Sequence, residues 1–86
     1  MRIDNHTIIF KSNPLYYNKE KHGIKPNTVR KVNANELGEI INNLFFIQFI
    51  RIENTETEEF FIRKLKDISF ILPEIEFIFS WEHNEC

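Results

Sequence analysis

Apolar and polar residues alternate most cleanly in EIEFIFSWE, residues 74–82. Ile75, Phe77, Phe79 and Trp81 fall on one side, and Glu74, Glu76, Ser80 and Glu82 on the other. A period of two with one apolar side marks a half-buried antiparallel strand. Residues 45–53, FFIQFIRIE, are apolar on both sides and predict a long strand. Asn54-Thr55-Glu56-Thr57 then reads as a turn, and 58–65 as the returning strand. The adjacent Arg63-Lys64 breaks the alternation and predicts a bulge or bend there, after which 66–71 continue the strand or begin another. Pro73 ends it. Near the start, TIIFKS at 7–12 predicts a first strand, and TVRKV at 28–32 a second.

Helix signals sit between these strands. Asn13 is a good cap and Pro14 suits a first turn, where a missing N–H costs nothing. Lys19, Lys21 and His22 meet the negative end of the dipole, and Gly23 can take the left-handed stop. A short helix over 14–22 follows, with Leu15 and one of Tyr16 or Tyr17 facing inward. Asn33 or Asn35 caps a second helix over about 35–43, whose Leu37, Ile40, Ile41 and Leu44 share one apolar face. Gly38 weakens it by ~1 kcal/mol relative to alanine. The class is therefore α+β: a small, curled, antiparallel or mixed β-sheet forming an open barrel, with two short helices plugging it.

The chain has 86 residues, which predicts a single domain spanning 1–86. Hydrophobic residues make up 42% and aromatic residues 14%, too apolar for a disordered chain. Fourteen isoleucines and ten asparagines suit AT-rich coding DNA, such as that of a bacterium or its phage. The single cysteine, Cys86, allows no internal disulfide and suits a reducing cytoplasm. His83 and Cys86 form an H-x-x-C, and His6 and His22 have no ligand spacing, so no metal site is expected. No signal peptide is read at the start, and the longest apolar runs fall short of the ~20 residues of a membrane span.

Charge changes the picture more. The net charge of −2 hides a division. Residues 1–31 hold seven Lys and Arg against two acids, or +5, and residues 32–86 hold four against eleven, or −7. An acidic total argues against a general coat for duplex DNA, but a local basic cluster fits one small anion or a short strand. From Lys11 to Lys31 there are six Lys and Arg and one acid, Glu20. Arg30 can grip phosphate or carboxylate with paired donors and Lys25 adds a point charge. Asn27 and Thr28 add neutral donors, and Tyr16 or Tyr17 a face on which a base can stack. The plainer account of the same stretch is a solvated helix end and loop with one tyrosine in the core.

Catalysis is not expected. Ser12, Ser69 and Ser80 have no His–acid partners at motif spacing. Glu74 and Glu76 lie on the outward side of their strand, and two glycines are too few for a phosphate-binding glycine loop. Glu53, Glu56, Glu58 and Glu59 gather at the turn after the long strand, either as a solubilising tip or as contact for a basic partner.

The stretch Gly23, Lys25, Thr28, Arg30 resembles the G-x-K-x-x-T-x-R pattern of the ASCH/PUA-like superfamily. The later FIRKLKDISFI, with Asp67-Ile68, is similar to a strand of that family. Residues 13–31 carry the likeness firmly and 58–71 loosely. It implies a reduced, open PUA-like barrel with Lys25, Thr28 and Arg30 facing a cleft for RNA or nucleotide-type ligands. Small phage-encoded proteins also carry K-P-N-T-[VI]-R. The chain is shorter than usual for the family and has no clear acid where enzymatic members use one. The expectation is a non-catalytic module that needs no cofactor. It binds a nucleotide-like anion through Tyr16, Tyr17, Lys25, Asn27, Thr28 and Arg30, as a phage protein sequestering a signalling nucleotide in the host cytoplasm would. The alternatives are a regulator that binds a host defence protein through the acidic tip, and an RNA-binding accessory domain. Twelve aromatics on so short a chain favour a homodimer or larger assembly.

Overall fold

The computed structural model describes residues 1–71 and 75–82. In chain order the elements are β1 (Arg2–Asp4), β2 (Thr7–Ser12), α1 (Pro14–Lys21), β3 (Asn27–Lys31), α2 (Ala34–Asn43), β4 (Phe49–Asn54), β5 (Phe60–Ile71) and β6 (Glu76–Trp81). The strands form one six-stranded mixed sheet in the order β1-β2-β4-β5-β6-β3. Only β2 and β4 run parallel, with α1, β3 and α2 in the connection between them. The sheet does not close into a barrel: β1 and β3 remain as its two edges.

One strand joins the two halves. Phe60 to Lys64 of β5 pair with β4, and Leu65 to Ile71 pair with β6. Between them the register shifts at Leu65/Asp67, leaving Lys66 as the extra residue of a bulge. Such an insertion bends a strand and strengthens its twist. The bulge lies just beyond Arg63-Lys64, and the segments 58–65 and 66–71 are one strand. The bend brings the two half-sheets face to face. Phe10 of β2 meets Phe79 of β6 with ring centroids 5.1 Å apart, although three strands separate β2 from β3 in the sheet order and two separate it from β6.

The core fills this fold. Ile8, Phe10, Ile50, Ile52, Phe61, Phe77, Phe79 and Trp81 come from the sheet, Ile40 from α2 and Tyr17 from α1. Burying each side chain of this size contributes roughly 1.5–3 kcal/mol. Period-two burial along β6 hides Phe77, Phe79 and Trp81 and packs Ile75 against them, as its alternation predicts. Pro73 and Glu74 lie outside the described residues, as do His83 and Cys86.

Local chemistry sets both helix starts. The Asn13 side chain accepts from the Tyr16 N–H, with Pro14 in the first turn. Asn33, rather than Asn35, caps α2. Its side chain accepts from Glu36 N–H while the Glu36 carboxylate accepts from Asn33 N–H, a reciprocal capping box. Four expectations change. Leu15 is exposed, and Tyr17 alone of the Leu15–Tyr17 group is buried. Ile41 points to solvent, so the α2 core face narrows to Leu37 and Ile40. Phe45 and Phe46 belong to the turn after α2, because Phe46 and Ile47 N–H donate to Asn43 C=O, and β4 begins only where His6 C=O takes the N–H groups of Gln48 and Phe49. A first strand, β1, precedes 7–12. It is joined to β2 by Asn5-His6, both at positive φ, as a two-residue type I′ hairpin turn requires.

No helix among the described residues is long and apolar enough to cross a membrane. Gly38 sits mid-helix on an exposed face, and a Cβ there would meet nothing within 4 Å. Gly38→Ala should therefore stabilise the protein by about 0.5–1 kcal/mol, raising the thermal midpoint by several degrees in a melt followed by circular dichroism.

Candidate functional site

Thr28 and Arg30 are two residues apart on β3 and project from the same face. Their face turns toward the far end of β2. There the Arg30 guanidinium makes three hydrogen bonds: Nε to Thr28 Oγ1 at 2.9 Å, Nη1 to Lys11 C=O at 2.8 Å and Nη2 to Ser12 Oγ at 2.6 Å. It also lies over the Phe10 ring, 4.8 Å from the centroid. Arg30 thus spans the gap between edge strand β3 and strand β2, which share no backbone pairing. Partial burial lowers its pKa below the ordinary arginine value, and nearby Glu20 opposes that shift.

Glu20 continues the chain of contacts. Ser12 Oγ donates to Glu20 Oε1 at 2.8 Å, and Lys25 Nζ stands 3.9 Å from Glu20 Oε2. The carboxylate is only 1% exposed, and Ser12 and Thr28 are buried with it. Lys25, Glu20, Ser12, Arg30 and Thr28 form one continuous polar line. A buried network of this kind is favourable only when each member is partnered.

Above this line is a hollow of about 430 Å3. Lys11, Lys25, Arg30 and Glu20 are among its lining residues: Lys25 and Arg30 bring two positive charges beside the Glu20 carboxylate, and Lys11 contributes the carbonyl that holds Arg30. Tyr16 stands at its rim, with Lys25 Nζ 5.2 Å from the ring centroid. Below the line a second hollow of about 490 Å3 shares Lys11 and Arg30 and is lined also by Arg2, Lys31, Phe10 and Val32 and by two acids, Glu36 and Glu53. The two cavities meet at the Arg30–Lys11 bridge.

Of the six residues singled out in the sequence, Tyr16, Lys25, Thr28 and Arg30 line the first hollow. Asn27 begins β3 opposite Ser80 and lines none of the cavities described here. Tyr17 points the other way, into the core, against Phe61 at 5.4 Å. The GxKPNTVR stretch also has an architectural part. Gly23 has φ 78°, the left-handed geometry that ends α1, and Pro26 C=O accepts from Trp81 N–H. Lys11, Ser12 and Glu20 are the residues that sequence reasoning missed. A signal for Glu20 existed: it follows Tyr17 by three on the helix, so an inward Tyr17 carries Glu20 inward.

Compared with protein-family models, with curated proteins and with solved structures, the chain matches none of them. Among the described residues no group of three or more His, Cys, Asp or Glu could hold a metal ion.

Arg30→Ala would strip a donor from Lys11 C=O, Ser12 and Thr28 at once. It should cost about 2–4 kcal/mol in urea denaturation, and Arg30→Lys should restore only part, because an ammonium cannot reproduce a planar fork. Tyr17 gives a second test. Among the described residues its buried hydroxyl has no hydrogen-bond partner, and its pKa is raised, first by burial and then by Glu59, with Arg63 opposing. The unfolded chain therefore ionises its tyrosine at a lower pH than the folded one, and stability falls as pH rises past about 10. Tyr17→Phe should be within about 1 kcal/mol of wild type at neutral pH and should lose less stability between about pH 9 and pH 11.

Proposed function

We propose that this protein is a non-catalytic binding module for a small nucleotide-like anion, held in the hollow between β2, α1 and β3. The observation that carries the reading is the meeting of Lys25 and Arg30 in the lining of one concavity, with Lys11 at its edge and a single carboxylate, Glu20, within it. Three of the five guanidinium donors of Arg30 are engaged, which fixes the group and leaves one N–H on each terminal nitrogen for a ligand oxygen. An anchored donor loses little freedom on binding. Tyr16 offers a half-exposed ring beside these charges. A base stacked there would displace the Lys25 ammonium from the ring and turn it toward phosphate. The second hollow, on the other side of Arg30, gives room for a further ligand moiety.

A kinship with ASCH/PUA-like domains belongs to the same reading. It is supported by the strand–helix–strand order, by Gly23 ending α1 at positive φ, and by Lys25, Thr28 and Arg30 lining the hollow. In a phage-encoded protein the role that follows is sequestration of a signalling nucleotide in the host cytoplasm. A second reading, a regulator that binds a host protein, draws on the tip between β4 and β5. Asn54 Oδ1 accepts from Glu56 and Thr57 N–H and so holds that loop with Glu56, Glu58 and Glu59 exposed. Glu53 is not part of that display, being paired with Arg51 at 2.9 Å.

Calorimetry with nucleoside mono- and diphosphates, cyclic nucleotides, inorganic phosphate and a short RNA tests the proposal. Arg30 is a poor probe, because its loss also weakens the fold. Lys25→Ala and Tyr16→Ala should each weaken nucleotide binding about tenfold, or ~1.4 kcal/mol. Glu20→Gln, checked for folding by circular dichroism, should tighten it by removing the opposing charge. Absence of binding across the panel, or unchanged affinity in both alanine variants, would sink the reading. Binding of the RNA alone, with steep salt dependence, would replace it with an RNA-binding role.

A further inference from the structure

We infer that a second copy of this chain docks on the apolar patch at the end of α2, giving a two-fold symmetric dimer. The patch begins where α2 runs into its terminal turn. Phe45 is 93% exposed and Phe46 61%. Ile41, one helical turn before Phe45, is 56% exposed. These rings are not on a loose end. Phe46 N–H donates to Asn43 C=O at 2.8 Å, Ile47 N–H donates to the same oxygen at 3.0 Å, and the Phe46 carbonyl lies 2.9 Å from His6 Nδ1. The turn therefore holds two phenyl groups out into water.

A shallow, open depression of about 280 Å3 lies beside them in the chain. Leu44, Ile47, Leu65 and Ile68 line it, and Lys66 and Asp67 of the β5 bulge complete its wall. Leu44 and Ile47 flank Phe45 and Phe46 in the chain, so projection and hollow are immediate neighbours. That adjacency is self-complementary. One two-fold rotation can seat each Phe45 in the other copy's hollow, because every contact in such an interface is made twice. The adjacent Lys66 and Asp67 have opposite charges, so under the same rotation each can meet its opposite on the partner copy. A different protein would need both its own projecting ring and its own hollow to satisfy the patch as well.

The area suits a weak, concentration-dependent dimer. With about 150–250 Å2 per aromatic side chain, Phe45 and Phe46 expose about 300 Å2 between them. With Ile41 and Leu44 the patch nears 500 Å2 per copy, so two copies approach the ~1,000 Å2 of a specific interface. A patch of roughly 500 Å2 is in the upper part of the range for the largest patch on a monomer, and such patches are often functional.

The test is the mass of the full chain by sedimentation equilibrium over a wide concentration range, with reductant present so that Cys86 forms no cross-link. A concentration-dependent dimer is expected. Phe45→Glu should weaken it at least tenfold while leaving the circular dichroism spectrum unchanged. Lys66→Glu should weaken it less, by placing two acids together on the rim. A monomer at the highest concentration the protein tolerates would overturn the inference. So would a dimer untouched by Phe45→Glu, which would move the interface elsewhere, or a monomer that uses Phe45 to bind a different protein.

Discussion

The guanidinium of Arg30 occupies a gap that no backbone pairing fills. A six-stranded sheet bent at the β5 bulge brings its edge strand near β2 without joining the two ladders. Left alone, that seam would expose the Lys11 carbonyl and separate the buried hydroxyls of Ser12 and Thr28. Arg30 satisfies all three, with the Phe10 ring beneath it. The cost is a cation partly removed from water, and Glu20 offsets it through Ser12. Charge burial of this kind is tolerable only with such compensation.

The same arrangement creates the concavities. Because the seam is crossed by a side chain, space remains on either side of the crossing, and the two hollows described above meet there. A fully paired barrel would have zipped that space shut. The polarity of the first hollow follows from its being cut into a hydrogen-bonded line rather than into the apolar core.

Features set by local chemistry were legible in the sequence. Asn13-Pro14 starts α1 and Gly23 stops it, since a cap, a missing N–H and a positive φ each belong to one residue. The alternation of β6 was equally plain. Features decided by distant partners were not. The run 45–53 is apolar on both sides, and its true strand start depends on carbonyls of His6 and Asn43. Strand β1 is only three residues long, too short for a period to show. The basic segment was visible as a count of charges. That count set one acid against six cations, and could not show that the acid is the most buried member of the group or that Arg30 spends most of its donors on the protein itself. The family-like motif is therefore architecture first, and the proposed site uses side chains that the fold already employs.

The division within the first hollow has an evolutionary consequence. Its floor, made of Ser12, Glu20, Thr28 and Arg30, is tied into the fold, whereas Tyr16 and Val29 stand on its rim half open to solvent. Drift can exchange rim residues freely while the floor stays constrained, so the chemistry displayed by the hollow can change without the scaffold being rebuilt.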